Sequence, residues 1–118
     1  MKTLTAVTLA LGLGFAPAAF AFDTANESFV AQIGADNFAI VAQNGGSNNQ
    51  ATLQFGAFNT AITGQNHGFL FNQANNALTA QFGVGNTAVT AQQSAFFYQN
   101  NSAIIQAGFH NTAIVAQK

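Results

Sequence analysis

Residues 26–43 read NESFVAQIGADNFAIVAQ, and Asn26, Gln32, Gly34, Asn37, Ala39 and Gln43 within them set a pattern, Asn-x5-Gln-x-Gly-x2-Asn-x-Ala-x3-Gln. The pattern returns three times without a mismatch. Its second copy is Asn48, Gln54, Gly56, Asn59, Ala61 and Gln65. Its third is Asn75, Gln81, Gly83, Asn86, Ala88 and Gln92, and its fourth is Asn100, Gln106, Gly108, Asn111, Ala113 and Gln117. Identical units at near-constant spacing that cannot bury a face alone are the mark of a stacked, solenoid-type architecture.

The internal spacing gives the shape of a unit. Gln to Gly and Asn to Ala are two residues apart and Ala to Gln four, so the fixed residues of each half fall on one side of an extended chain. Each half is therefore a strand. Between the halves, Gly34-Ala35-Asp36-Asn37, Gly56-Ala57-Phe58-Asn59, Gly83-Val84-Gly85-Asn86 and Gly108-Phe109-His110-Asn111 place Gly and Asn where a tight reversal needs residues tolerant of positive φ. No apolar i, i+3, i+4 stripe appears, and β-branched and aromatic residues crowd the segments, which excludes helices. The expected fold is all-β: a β-solenoid of four stacked strand-turn-strand repeats, 26–43, 48–65, 75–92 and 100–117.

In-register stacking brings identical amides to about 4.8 Å, where each can donate to the copy on one side and accept from the copy on the other. Gln32, Gln54, Gln81 and Gln106 form one such column; Asn37, Asn59, Asn86 and Asn111 form a second; Gln43, Gln65, Gln92 and Gln117 form a third. The end rungs stay incomplete until another copy arrives. The opposite face carries Ile33, Phe55, Phe82 and Ala107 in the first strand and Ile40, Ile62, Val89 and Ile114 in the second. Area alone, at about 25 cal/mol per Å², would bury that apolar face.

Composition favours assembly. Charged residues make up 4% of the chain, against about 25% in ordinary globular domains, so little repulsion separates copies. Hydrophobic residues at 49% argue against a disordered polar tract. Beyond residue 21 the only side-chain charges are Asp23, Glu27, Asp36 and Lys118, which excludes neutralising a run of nucleic-acid phosphates.

The motif resembles the curlin repeat, Ser/Asn-x5-Gln-x-Gly-x2-Asn-x-Ala-x3-Gln, of bacterial curli fibre subunits, over residues 26 to 117. The resemblance implies a β-solenoid that polymerises outside the cell into a functional amyloid of the biofilm matrix, with a nucleator subunit and an outer-membrane export machinery as partners. It also implies that the Gln, Asn and Ala residues face a tightly packed interior, the reverse of the area expectation. Two departures stand out. Connections 66–74 and 93–99 exceed the usual four or five residues, and there are four repeats instead of five, with only Phe22 to Ala25 between the expected leader and the first motif.

That leader is residues 1–21: Lys2 supplies a positive n-region, Leu4 to Phe15 an apolar run too short to span a bilayer, and Ala19-Phe20-Ala21 a small-x-small cleavage site. A secreted location follows, without a transmembrane segment in the mature chain, which is 22–25 followed by the solenoid 26–118. Cysteine is absent, so stability has to come from stacking. The runs Phe69-Leu70-Phe71 and Phe96-Phe97-Tyr98 in the long connections are expected to fold back over the outer face or extend strands; the alternative is a binding loop.

No catalytic, cofactor or metal constellation is legible. His67 and His110, without Cys, Asp or Glu at ligand spacing, read as solvated turn residues, and a non-enzymatic role follows. Asp36, the only acid inside the conserved turns, reads equally as a turn former or as a gatekeeper that slows aggregation by charge repulsion. Thr60, Thr87 and Thr112 recur at one position with Phe38 in the first repeat. Flat threonine arrays can order water at ice-binding surfaces, but a column of three beside Ile62, Val89 and Ile114 is explained by β-propensity. Within the resemblance, a nucleator subunit departs from the repeat and is basic near its C-terminus. This chain ends in a full motif, Ala116-Gln117-Lys118, which favours the polymerising subunit.

Overall fold

The computed structural model describes residues 26–67, 74–94 and 99–118 in full, and the backbone course of 5–11 and 18–22. The described chain is made of strands, with no helix among the described residues: β1 (Thr5–Leu11), β2 (Ala18–Phe22), β3 (Glu27–Ala35), β4 (Phe38–Asn44), β5 (Ser47–Ala57), β6 (Thr60–His67), β7 (Ala74–Val84), β8 (Thr87–Ser94), β9 (Asn100–Phe109) and β10 (Thr112–Gln117). Odd strands stack in one parallel sheet, β1-β3-β5-β7-β9, and even strands in a second, β10-β8-β6-β4-β2. Each repeat thus gives one strand to each sheet, and the chain coils as a β-solenoid.

Register follows the motif. Gln32 pairs with Gln54, Gln54 with Gln81 and Gln81 with Gln106, while Gln43, Gln65, Gln92 and Gln117 align in the second sheet. The repeats are offset by 22, 27 and 25 residues, and the strand register is kept across all three offsets. Loop-closure entropy grows slowly with length, so the insertions cost little. The two aromatic runs lie outside the described residues.

The amide face is inside. Glutamine, asparagine and alanine of the motif are buried in the first three repeats, whereas Phe29, Ile33, Phe38, Ile62, Leu78 and Phe82 are exposed. The area expectation fails for a geometric reason. Only two residues separate β3 from β4, β5 from β6, β7 from β8 and β9 from β10, so the sheets are held close, and the gap takes amides, alanines and β-branched side chains in place of phenylalanine rings. Alanine at 39, 61 and 88 fills it on one side, each about 1% exposed. The apolar groups left outside recover part of their packing by stacking along the axis: the Phe55 and Phe82 rings lie 5.3 Å apart and 4° from parallel.

The arcs are locked by backbone. Phe58 N donates to Ala35 O, Gly85 N to Ala57 O and His110 N to Val84 O, each at 3.0 Å. Gly34, Gly56 and Gly83 have φ near +120°, and each lies directly against the glycine of the next rung. A Cβ on Gly34 would sit 1.8 Å from Gly56 O, and one on Gly56 2.0 Å from Gly83 O. The other positive-φ residue of each arc is its third, Asp36, Phe58, Gly85 or His110. The asparagines expected to fill that role are not among the positive-φ residues; they serve the arc through their side chains.

Candidate polymerisation interface

Four amide columns run the length of the stack. In the first sheet Gln32 Nε2 donates to Gln54 Oε1, Gln54 Nε2 to Gln81 Oε1 and Gln81 Nε2 to Gln106 Oε1, at 2.5, 2.8 and 2.9 Å. In the second, Gln43, Gln65, Gln92 and Gln117 repeat the chain at 2.8 Å per step. Along both columns the side-chain to side-chain donation runs from each repeat to the following one. The asparagines run the other way: Asn59 Nδ2 donates to Asn37 Oδ1, Asn86 to Asn59 and Asn111 to Asn86, all at 3.0 Å. Asn48, Asn75 and Asn100 likewise donate back to Asn26, Asn48 and Asn75.

These directions are dictated by the backbone. Each column glutamine from Gln43 onward also donates its Nε2 to a main-chain carbonyl, as Gln54 to Phe38 O at 3.1 Å, Gln81 to Thr60 O and Gln106 to Thr87 O at 3.0 Å. A flipped amide would face that carbonyl with its own oxygen. Asparagine Oδ1 is pinned in turn by the next rung's main-chain N–H, as Asn59 N to Asn37 Oδ1 at 3.1 Å, and its Nδ2 by the next glycine carbonyl, as Asn37 to Gly56 O and Asn59 to Gly83 O at 3.0 Å. Buried amides with every partner fixed hold the stack to one register.

The two ends differ. At the C-terminal end Gln106 and Gln117 Nε2 each have only a main-chain acceptor, Thr87 O and Asn101 O, leaving one N–H unspent. Asn111 Nδ2 has no glycine carbonyl beyond it and keeps Asn86 Oδ1 and Ala107 O, both at 3.0 Å, the latter matching the Ile33, Phe55 and Phe82 carbonyls of the other rungs, and nothing among the described residues donates to its Oδ1. Ile105, Phe109 and Ile114 are exposed by 71%, 73% and 72%. The first repeat is the opposite case: its glutamine columns begin on carbonyl oxygens and the Asn37 column on an amide N–H, and Gln43 Oε1 is buried without a donor.

Of the motif residues, Asn26, Gln32, Asn37, Ala39, Gln43, Asn48, Gln54, Asn59, Ala61, Gln65, Asn75, Gln81, Asn86, Ala88 and Gln92 meet in one continuous interior, with Asn100 and Gln106 at its edge. Asn111, Ala113 and Gln117 are half-buried. Sequence reading missed three interior columns: Ser28, Gln50, Ala77 and Ser102; Val30, Thr52, Thr79 and Ile104; and, facing these from the other sheet, Val41, Thr63, Thr90 and Val115. Their even spacing from the motif residues was the available signal. Thr63 and Thr90 carry buried hydroxyls without a partner, whereas both end rungs of the Val30 and Val41 columns are aliphatic.

The histidines differ from each other. His110 is exposed in its arc, but His67 ends β6 half-buried with Nε2 unpartnered, its ring over Gly46, where a Cβ would come within 2.7 Å of Nδ1. It is a packed residue and not a solvated turn. Asp36 is exposed at φ 51°, which fits the turn reading because Asp tolerates the left-handed region better than most residues. Among the described residues no three His, Asp or Glu come together. Comparison with protein-family models, curated proteins and solved structures finds no match.

Proposed function

We propose that this chain is the polymerising structural subunit of a secreted, curli-like amyloid fibre that serves adhesion and biofilm cohesion at the cell surface. The observation that carries the reading is the complementarity of the two end rungs. With residues 1–21 removed, the C-terminal end offers glutamine N–H groups and an asparagine carbonyl where the N-terminal end offers glutamine carbonyls and the Asn37 amide N–H. Stacked head to tail, Gln106 and Gln117 would donate to Gln32 and Gln43 of the next copy, and Asn37 of that copy to Asn111. Ile104 and Val115 would meet Val30 and Val41 in the interior. Head-to-head stacking sets donors against donors. A heterologous contact of this kind repeats without closing and yields a filament.

Secretion, adhesion and the export and nucleator partners rest on the leader-like residues 1–21 and the repeat resemblance. The nucleator alternative is disfavoured by the intact fourth motif, and ice binding by the outer face: Thr60, Thr87 and Thr112 do align there, but as a single column bordered by Ile62, Val89 and Ile114. Chain 22–118, purified and left near neutral pH, should form fibres that seeds accelerate, with reflections at about 4.8 Å and about 10 Å. A protein that stays monomeric at concentrations on the order of tens of micromolar, where exposed edges meet readily, would sink the proposal.

A further inference from the structure

Residues ahead of the first motif occupy the end of the stack that docking needs open. β1 pairs with β3 in parallel from Thr5↔Glu27 to Leu11↔Ile33, and β2 with β4 from Ala18↔Ile40 to Phe22↔Asn44. The main-chain edges of the first repeat are thereby taken. The register matches the motif: Thr5 stands to Glu27 as Glu27 stands to Asn49, so this segment lies as one more rung.

It is a rung without amides. Register sets Ala10 against Gln32 and Ala21 against Gln43. Neither alanine side chain can donate or accept a hydrogen bond. Both glutamine columns therefore stop, and the buried Gln43 Oε1 has no donor. A following copy would find unpaired main chain on this rung, but nothing to meet Gln106 or Gln117.

We propose that β1 and β2, while attached, are a terminating cap on the N-terminal end of the stack, and that the partner they exclude is a second copy of this chain. This inference rests on the fibre reading. A peptidase that cuts after small residues would add water across the Ala21–Phe22 bond, leaving a carboxylate on Ala21 and an amine on Phe22. The detached segment is then held by strand pairing alone, and its loss uncovers β3, β4 and the carbonyls of Gln32 and Gln43. Cleavage thereby switches one end of the molecule from closed to open.

The test uses fibres of chain 22–118 as seeds and the full chain 1–118 as the probe, with growth at each end followed by two-colour imaging. The full chain can dock its C-terminal rung on a seed but then presents the cap. Seeds pre-treated with it should resume growth in fresh 22–118 from one end only, and the full chain alone should elongate seeds at least about tenfold more slowly than 22–118, for the loss of two or more amide pairs per junction. The full chain carrying Ala10→Gln with Ala21→Gln, which continues both columns, should recover much of that loss. In the monomer, amide exchange in β3 and β4 should be slower in 1–118 than in 22–118. Growth from both ends after pre-treatment, block of both ends, no rescue by the double substitution, or equal exchange each overturns the cap. Absence of any fibre from 22–118 would instead remove the fibre reading, and the cap with it.

Discussion

The second and fourth repeats carry the same six motif residues, yet Gln54 is sealed and Gln106 is not. Gln54 accepts from Gln32, donates to Gln81 and to Phe38 O, and has no exposed surface. Gln106 accepts from Gln81, donates to Thr87 O and has an N–H left over. Residue type does not distinguish a core position from an interface position here; the presence of a following rung does. A mid-stack amide contributes to folding, and an end amide contributes to association.

The glycines give the sharpest way to break that comparison. Gly56→Ala forces a Cβ to within 2.0 Å of Gly83 O, so the rungs must separate, and we expect urea unfolding to show a loss of about 4 kcal/mol or more. Gly108→Ala meets nothing nearer than Asn111 Nδ2 at 3.5 Å and should cost only the positive-φ penalty, about 1–2 kcal/mol. Its Cβ points where the next copy's Gly34 carbonyl would dock, so growth at that end should cease. A Gly108→Ala chain that elongates normally from both ends would refute head-to-tail stacking.

Glutamine substitution makes the same contrast at lower amplitude. Gln54→Ala strands Gln32 Nε2 and Gln81 Oε1 in a dry interior and leaves a cavity, for a loss of about 3 kcal/mol. Gln106→Ala orphans one donor, about 1 kcal/mol, but should slow elongation more than Gln54→Ala does per unit of stability lost. Equal slowing relative to stability would mean that growth does not pass through end rungs.

Threonine in the middle rungs offers a change in the stabilising direction. Thr63→Val with Thr90→Val removes two buried, unpartnered hydroxyls and installs the side chain already present at Val41 and Val115. A gain of about 1–2 kcal/mol is expected in the unfolding midpoint analysis. Loss of stability would show that these hydroxyls are satisfied.

The arcs give the smallest effects. Phe58→Asn puts a residue tolerant of left-handed geometry at φ 55° and should stabilise by about 0.5–1 kcal/mol. Asp36→Asn should leave stability unchanged, because both residues suit φ 51°. If Asp36 is also a gatekeeper, that substitution shortens the assembly lag at neutral pH. An unchanged lag leaves the turn role alone.

Strands, arcs and the three main amide columns were legible because four copies of one pattern force one register. The inward face was not legible from area, since Phe55 and Phe82 outweigh Ala39 and Ala61 in any transfer scale, and what decides is the width between sheets joined by two-residue arcs. The direction of each column was equally hidden: it depends on main-chain partners such as Phe38 O and Asn59 N, which no side-chain pattern reveals. The extra rung was masked by composition, because β1 and β2 follow the repeat in register while lacking its amides.

Opposed donor directions have a consequence for length. Two glutamine columns and two asparagine columns run antiparallel along the axis, so their group dipoles oppose one another rung by rung, and parallel strands lying across the axis contribute little of their own. A helix sums its dipoles toward charged ends; this stack does not. Adding a rung therefore leaves the electric polarity of the whole almost unchanged, and the thousandth copy would meet the same field at the tip as the second.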